Sequence, residues 1–183
     1  MKFKKLEISG FKSFFDKTTF LIEEGLTGIV GPNGCGKSNI VESLRWCMGE
    51  TSAKSMRGSG MEDVIFSGTS NKASKNIAEV SIDVDNKNNE GPVQYREVDQ
   101  INVRRKIEKD KGSKFYINDK EVRARDAQMF FADLSTGAHS PSMISQGRIG
   151  ALVTAKPTDR RAILEEAAGI SGLHVRRHEA ELR

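Results

Sequence analysis

Phe3, Leu6 and Ile8 stand among lysines and glutamates, so residues 3–10 predict a strand that ends at Gly10. Residues 18–22 alternate again, and Glu23-Glu24-Gly25 supplies a turn. The apolar run 26–30 then predicts a short buried strand, hairpinned with the one before it. The period changes after that. Ile40, Val41, Leu44, Cys47 and Met48 recur at helical spacing and predict a helix with those residues on its buried face. Residues 49–60 are polar and glycine-rich, as a mobile loop would be; residues 61–66 predict a short turn or helix, and 67–75 a polar connection. A period of two returns at Ala78, Val80, Ile82 and Val84 and again at Ile101, Val103, Arg105 and Ile107, and Phe115-Tyr116-Ile117 and Glu121-Val122 flank Asn118-Asp119-Lys120 as a tight hairpin. Residues 77–122 therefore predict an antiparallel meander added after the first helix. Ala127, Phe130, Phe131 and Leu134 lie on one side of an amphipathic helix over 125–134. Beyond a Ser/Gly/Pro loop, Met143-Ile144-Ser145 predicts a brief buried strand delivering Gln146 and Gly147. Helices over 149–153 and 158–168 are split by Lys156-Pro157-Thr158, and a charged, helix-like tail runs over 173–183.

Between the run 26–30 and the first helix lies Gly31-Pro32-Asn33-Gly34-Cys35-Gly36-Lys37-Ser38, a complete match to the phosphate-loop pattern G-x-x-x-x-G-K-[ST]. Glycines let successive backbone N–H groups converge on phosphate oxygens, and the first N–H groups of a helix have no partner within it. Lys37 can reach the outer phosphates as a compact cation, and the Ser38 hydroxyl can ligate a Mg²⁺ that bridges them.

Composition narrows the setting. The chain has 183 residues, enough for one domain of ordinary size, and 37% hydrophobic with 30% charged residues suits a soluble protein with much exposed surface. No apolar run approaches the roughly 18 residues that cross a bilayer, and Met1–Lys5 is basic without a signal-peptide core behind it, which predicts a cytoplasmic protein and no membrane partner. Cys35 in the loop and Cys47 on the helix make no disulfide framework. A net charge of +4 permits contact with nucleic acid without establishing it.

A phosphate loop alone does not hydrolyse ATP: an acidic strand must order Mg²⁺ and a further group must position water. Met129-Phe130-Phe131-Ala132-Asp133 imitates such a strand, but Leu134 stands where the catalytic acid belongs and the spacing is helical. Leu134-Ser135-Thr136-Gly137 imitates the signature motif of ATP-binding-cassette proteins yet precedes Gln146, the reverse of the required order. His174 and His178 lack a third metal ligand. The chain holds the first half of an ATPase and lacks the second.

That half resembles the structural maintenance of chromosomes (SMC) family, the bacterial chromosome-condensation type in particular. Six blocks carry the likeness in family order: Leu6 through Phe14, Gly31 through Asn39, Lys54 through Gly58, Met61 through Phe66, Ile144-Ser145-Gln146-Gly147, and Glu165 through Ile170. The resemblance implies an α/β fold, the N-terminal lobe of an ATP-binding-cassette-type phosphate-loop head. It would carry an antiparallel meander and a helical lobe leading into a coiled coil. Residues 1–168 would be the half-head and 169–183 the start of the coiled-coil arm. The segment 85–100 aligns with nothing firmly, which leaves the meander's loop lengths open.

The resemblance also assigns roles. Lys12, Gly31, Pro32, Asn33, Gly34, Cys35, Gly36, Lys37, Ser38, Asn39 and Asp63 would hold ATP, with Asp63 near the base or ribose. Ser38 and Gln146 would hold Mg²⁺, Gln146 would also sense the γ-phosphate, and Arg57 would couple DNA contact to hydrolysis. Implied partners are the C-terminal half of the same head, a second SMC head, double-stranded DNA and kleisin-type subunits, in a nucleoid-associated cytoplasmic protein. The piece alone would be essentially inactive and would self-associate through its uncovered sheet. Two alternatives stand beside this: the head of a related DNA-repair ATPase, and a non-catalytic module whose basic loops around Lys54–Arg57 and Arg104–Lys114 grip duplex DNA.

Overall fold

The computed structural model describes residues 2–88 and 91–134, together with positions 137, 143, 150, 153–158, 160, 161 and 164. Gln146, the strand over 143–145 apart from Met143, the block 165–170, His174, His178 and the proposed arm 169–183 lie outside the described residues.

Six strands form one antiparallel sheet: β1 (Lys2–Ser9), β2 (Thr18–Leu21), β3 (Ile77–Asp85), β4 (Gln100–Glu108), β5 (Gly112–Ile117) and β6 (Lys120–Val122). Their order is β2-β1-β3-β4-β5-β6. The period of two is realised across the whole sheet. Leu6 pairs with Ile82, which pairs with Val103, which pairs with Ile117, while Ile8 pairs with Val80, and Val80 with Arg105 opposite Phe115. One face is thereby apolar and fully buried, and the other carries Glu7, Glu79, Asn102, Arg104 and Lys106. The expected meander is therefore not a graft of its own: β1 lies beside β3, so the strands before and after the phosphate loop share one sheet.

Two helices cover the apolar face. Helix α1 (Lys37–Cys47) packs on β3 and β4, where the buried Cys47 thiol meets the carbonyls of Val80 and Val103 at 3.5 Å each, and α2 (Ala124–Asp133) buries Ala127, Phe130 and Phe131. The exception to apolarity on this face is Arg105. Its Nη1 donates to the carbonyls of Trp46 and Glu50, both at 2.7 Å, and its Nε donates to Ser113 Oγ at 2.7 Å. The guanidinium lies 4.5 Å above both the Trp46 and Phe115 rings. It thus joins the Gly49 amide on the Trp46 carbonyl and takes the Glu50 carbonyl just beyond α1, bolting the end of that helix to the sheet. Burial pushes its pKa down to about 10, so the group is still charged at neutral pH.

Three expectations are corrected here. Residues 26–30 form no strand and pair with no described residue; Leu26 is 100% and Val30 94% exposed, because β2 pairs with β1 instead of turning towards them. The buried face of α1 is only partly the predicted one: Ile40, Cys47 and Met48 are buried as expected, but Glu42, Ser43 and Trp46 are buried too, while Val41 and Leu44 are half-buried. Trp46 packs at a tilt against Phe11, 5.4 Å between ring centres, and under Arg105, and Glu42 has Lys12 as a cationic partner inside, which together outweigh the two aliphatics. Finally, the segment 49–60 is pinned instead of hanging loose. Buried Met56 anchors a short 3-10 turn (Lys54–Met56), and Glu50, also buried, accepts from Arg45 and from the Ser52 amide.

Candidate phosphate-binding site

Gly34 and Gly36 both adopt positive φ, 83° and 95°, which a side chain would strain. At Gly36 space is closed as well, since a Cβ there would lie 2.4 Å from Ser13 Oγ. Gly36 is the N-cap of α1, with no side-chain cap and no acidic residue in the first turn. The helix therefore opens on backbone donors that no side chain satisfies, with the positive end of its dipole facing the loop. Lys37 folds over the loop: its Nζ donates to the carbonyls of Gly31 at 2.5 Å and Pro32 at 2.6 Å, and lies 3.8 Å from the exposed Cys35 thiol. Ser38 is exposed on the first turn, so its hydroxyl is available to a cation beside the loop. The donor set fits a polyanion carrying Mg²⁺.

Lys12 reaches the same place from the other side. After β1 the chain turns at Gly10, where a Cβ would meet the Ile77 carbonyl at 2.2 Å, and residues 11–12 then run beside 64–65. The Lys12 amide donates to the Val64 carbonyl at 2.7 Å. Its Nζ pairs with Glu42 of α1 and donates to the Met56 carbonyl at 2.5 Å. Arg57 pairs with the other oxygen of Glu42 and donates to Asn39 Oδ1 at 3.3 Å. Asn39 in turn donates to Ser13 Oγ at 2.9 Å. Lys12, Asn39 and Arg57 are thus brought together with the loop.

Asp63 stands further off in role. Its Oδ2 accepts from the Gly60 amide at 3.0 Å, the Ser59 hydroxyl at 2.8 Å and the Ser59 amide at 2.7 Å, and those bonds, the Gly60 amide foremost, hold its carboxyl below the usual carboxylate range. In this structure it caps its own turn (Met61–Val64). Glu42 is the residue that sequence reasoning missed. Its position four beyond Ser38 on a helix otherwise read by its apolar spacing gave no signal of burial.

The glycine-flexed loop on an uncapped helix, set on a sheet that runs through both flanks of it, defines the N-terminal lobe of an ATP-binding-cassette-type phosphate-loop head. Residues 2–148 match the RecF/RecN/SMC N terminal domain. The chain belongs to that family. It is 57% identical over 183 residues to the chromosome partition protein Smc of Cereibacter sphaeroides, covering 100% of this chain and 16% of that protein. Among solved structures it is 30% identical to the Smc head domain with an extended coiled coil from Pyrococcus furiosus, bound to the C-terminal domain of ScpA. The TM-score is 0.84, with 97% of this chain and 44% of that one covered. It is likewise 30% identical, at a TM-score of 0.77 and with coverage of 91% and 99%, to an SMC ATPase studied for ATP-driven dimerization and DNA-stimulated activation.

Proposed function

We propose that this chain is the nucleotide-holding half of an SMC head, which binds ATP with Mg²⁺ and, joined to a complementary half and a second head, hydrolyses it to organise DNA during chromosome condensation and segregation. The observation that carries the reading is the phosphate loop seated on the uncapped start of α1, with Lys37 and Ser38 at its mouth. In this reading the loop amides and Lys37 hold the phosphates, with Lys12 and Asn39 around them and Asp63 near the base or ribose. Ser38 and Gln146 hold Mg²⁺, which offsets phosphate charge, and Arg57 couples DNA contact to turnover. The exposed apolar residues Leu26, Ile29 and Val30, directly before the loop, are what a strand awaiting its neighbours would present, and they favour completion by further sequence. The ATP-driven dimerization and ScpA binding described for the similar structures support a second head and a kleisin-type subunit as partners. No helix among the described residues is long and apolar enough to cross a membrane; the setting proposed for the chain is the nucleoid in the cytoplasm.

The test is turnover. Phosphate release by this chain alone should be negligible and should appear when the complementary C-terminal half is added, and Lys37→Ala should remove it again. Brisk hydrolysis by the chain alone, lost in Lys37→Ala, would contradict the division of labour.

A further inference from the structure

We propose that Glu42 is the positioning residue for Arg57: it stores the guanidinium beside the phosphate loop and releases it to a phosphate oxygen, while Lys12 stays behind as its counter-ion. The inference rests on the reading of the loop as a nucleotide site.

One carboxylate serves two cations here, Lys12 on Oε2 and Arg57 on Oε1. The two are held unequally. The Lys12 side chain is 14% exposed, is tied to the Met56 carbonyl at 2.5 Å, and its backbone N–H is tied to Val64. The Arg57 side chain is 60% exposed, and its other hydrogen bond, to Asn39 Oδ1, is long at 3.3 Å. Removing one partner of a buried pair is costly because the survivor is left unpaired. Glu42, with a side chain only 11% exposed, meets that condition if Lys12 leaves but escapes it if Arg57 leaves. An ion pair with one partner so open to water contributes little, so its release costs little.

The backbone is arranged to stay in place meanwhile. Lys12 holds the carbonyl of the residue preceding Arg57, and Arg57, at φ 55°, donates its own amide to the Lys54 carbonyl at 3.0 Å. The side chain can therefore swing without unravelling its turn. Asn39 and Glu42 lie two and five residues beyond Lys37 on α1, so the stored guanidinium waits beside the first turn of the helix that opens on the loop.

The test is a double-mutant cycle in the intact protein. Wild type, Glu42→Gln, Arg57→Ala and the double variant are each titrated with Mg²⁺-ATP and, separately, with a short DNA duplex. Glu42→Gln should tighten binding of the phosphate ligand about fivefold when Arg57 is present and leave it unchanged when Arg57 is alanine. Coupling with ATP assigns the phosphate to the nucleotide; coupling with the duplex alone assigns it to DNA. The same effect of Glu42→Gln with and without Arg57, for both ligands, would overturn the proposal. Should Glu42→Gln fail to fold, Glu42→Asp, which keeps the charge but withdraws it by one methylene, is read in the same cycle. ATP binding by wild type without coupling removes only the latch, whereas no ATP binding by wild type removes the nucleotide-site reading itself and the latch with it.

Discussion

Cys47 shows how strongly a single side chain can tie α1 to pH. It is fully buried between the helix and the sheet, its thiol on the carbonyls of Val80 and Val103, and burial pushes its pKa up to about 12. A group whose pKa is raised by folding gives up stability as pH climbs from its unfolded value towards the folded one. With an unfolded value of 9.0, the loss begins near pH 9 and is on the order of 1 kcal/mol by pH 10 relative to neutral pH. Urea unfolding should register that fall, and Cys47→Ala, though less stable at neutral pH, should lose less between pH 7 and 10. Equal losses in the two proteins would assign the alkaline limb to other groups. At this scale the sequence was legible where chemistry is local: the glycines and Lys37 are where the pattern put them. Arg105 already stood on the inward period of its strand, but its partners, like the burial of Glu42, were not legible, because what buries a charged residue is a partner from a distant segment, Lys12 for Glu42 and the end of α1 for Arg105.

Among the elements, the β5–β6 hairpin was readable, although Lys120, expected in its turn, already pairs with Ile117 in β6. Its two-residue turn, Asn118-Asp119, has φ of 48° and 62°, the paired left-handed conformation that matches strand twist. The two positions differ in their duties. Asn118 Oδ1 accepts from the Asn102 amide at 2.8 Å, whereas Asp119 meets only an exposed ion pair with Arg104 at 3.0 Å. Asp119→Gly should therefore stabilise the chain by about 0.5 kcal/mol, while Asn118→Gly should gain nothing or lose stability, as chemical denaturation will show. A loss at Asp119 of more than that size would mean the ion pair matters more than the backbone. The strands of the sheet followed their period of two, and α2 its helical face. Residues 26–30 misled because an apolar run reports an appetite for burial, and whether it becomes a strand depends on a neighbour that local pattern does not contain.

For the molecule as a whole, a buried sheet face clamped by α1 and α2 supports a loop whose surroundings remain open. The phosphate loop, Lys12, Arg57 and Asn39 meet at one end of α1, and the uncovered run before the loop lies on the same stretch of chain. The chain spans 16% of the length of its Smc relative from Cereibacter sphaeroides, so nucleotide binding is the property to test on this chain itself. The binding half is tested most directly by determining the structure with Mg²⁺ and a slowly hydrolysed ATP analogue at saturation. Lys37 Nζ should leave the Gly31 and Pro32 carbonyls, now 2.5 and 2.6 Å away, for phosphate oxygens, with Ser38 on the metal. Lys37 still resting on those carbonyls, with no nucleotide against the start of α1, would contradict the account.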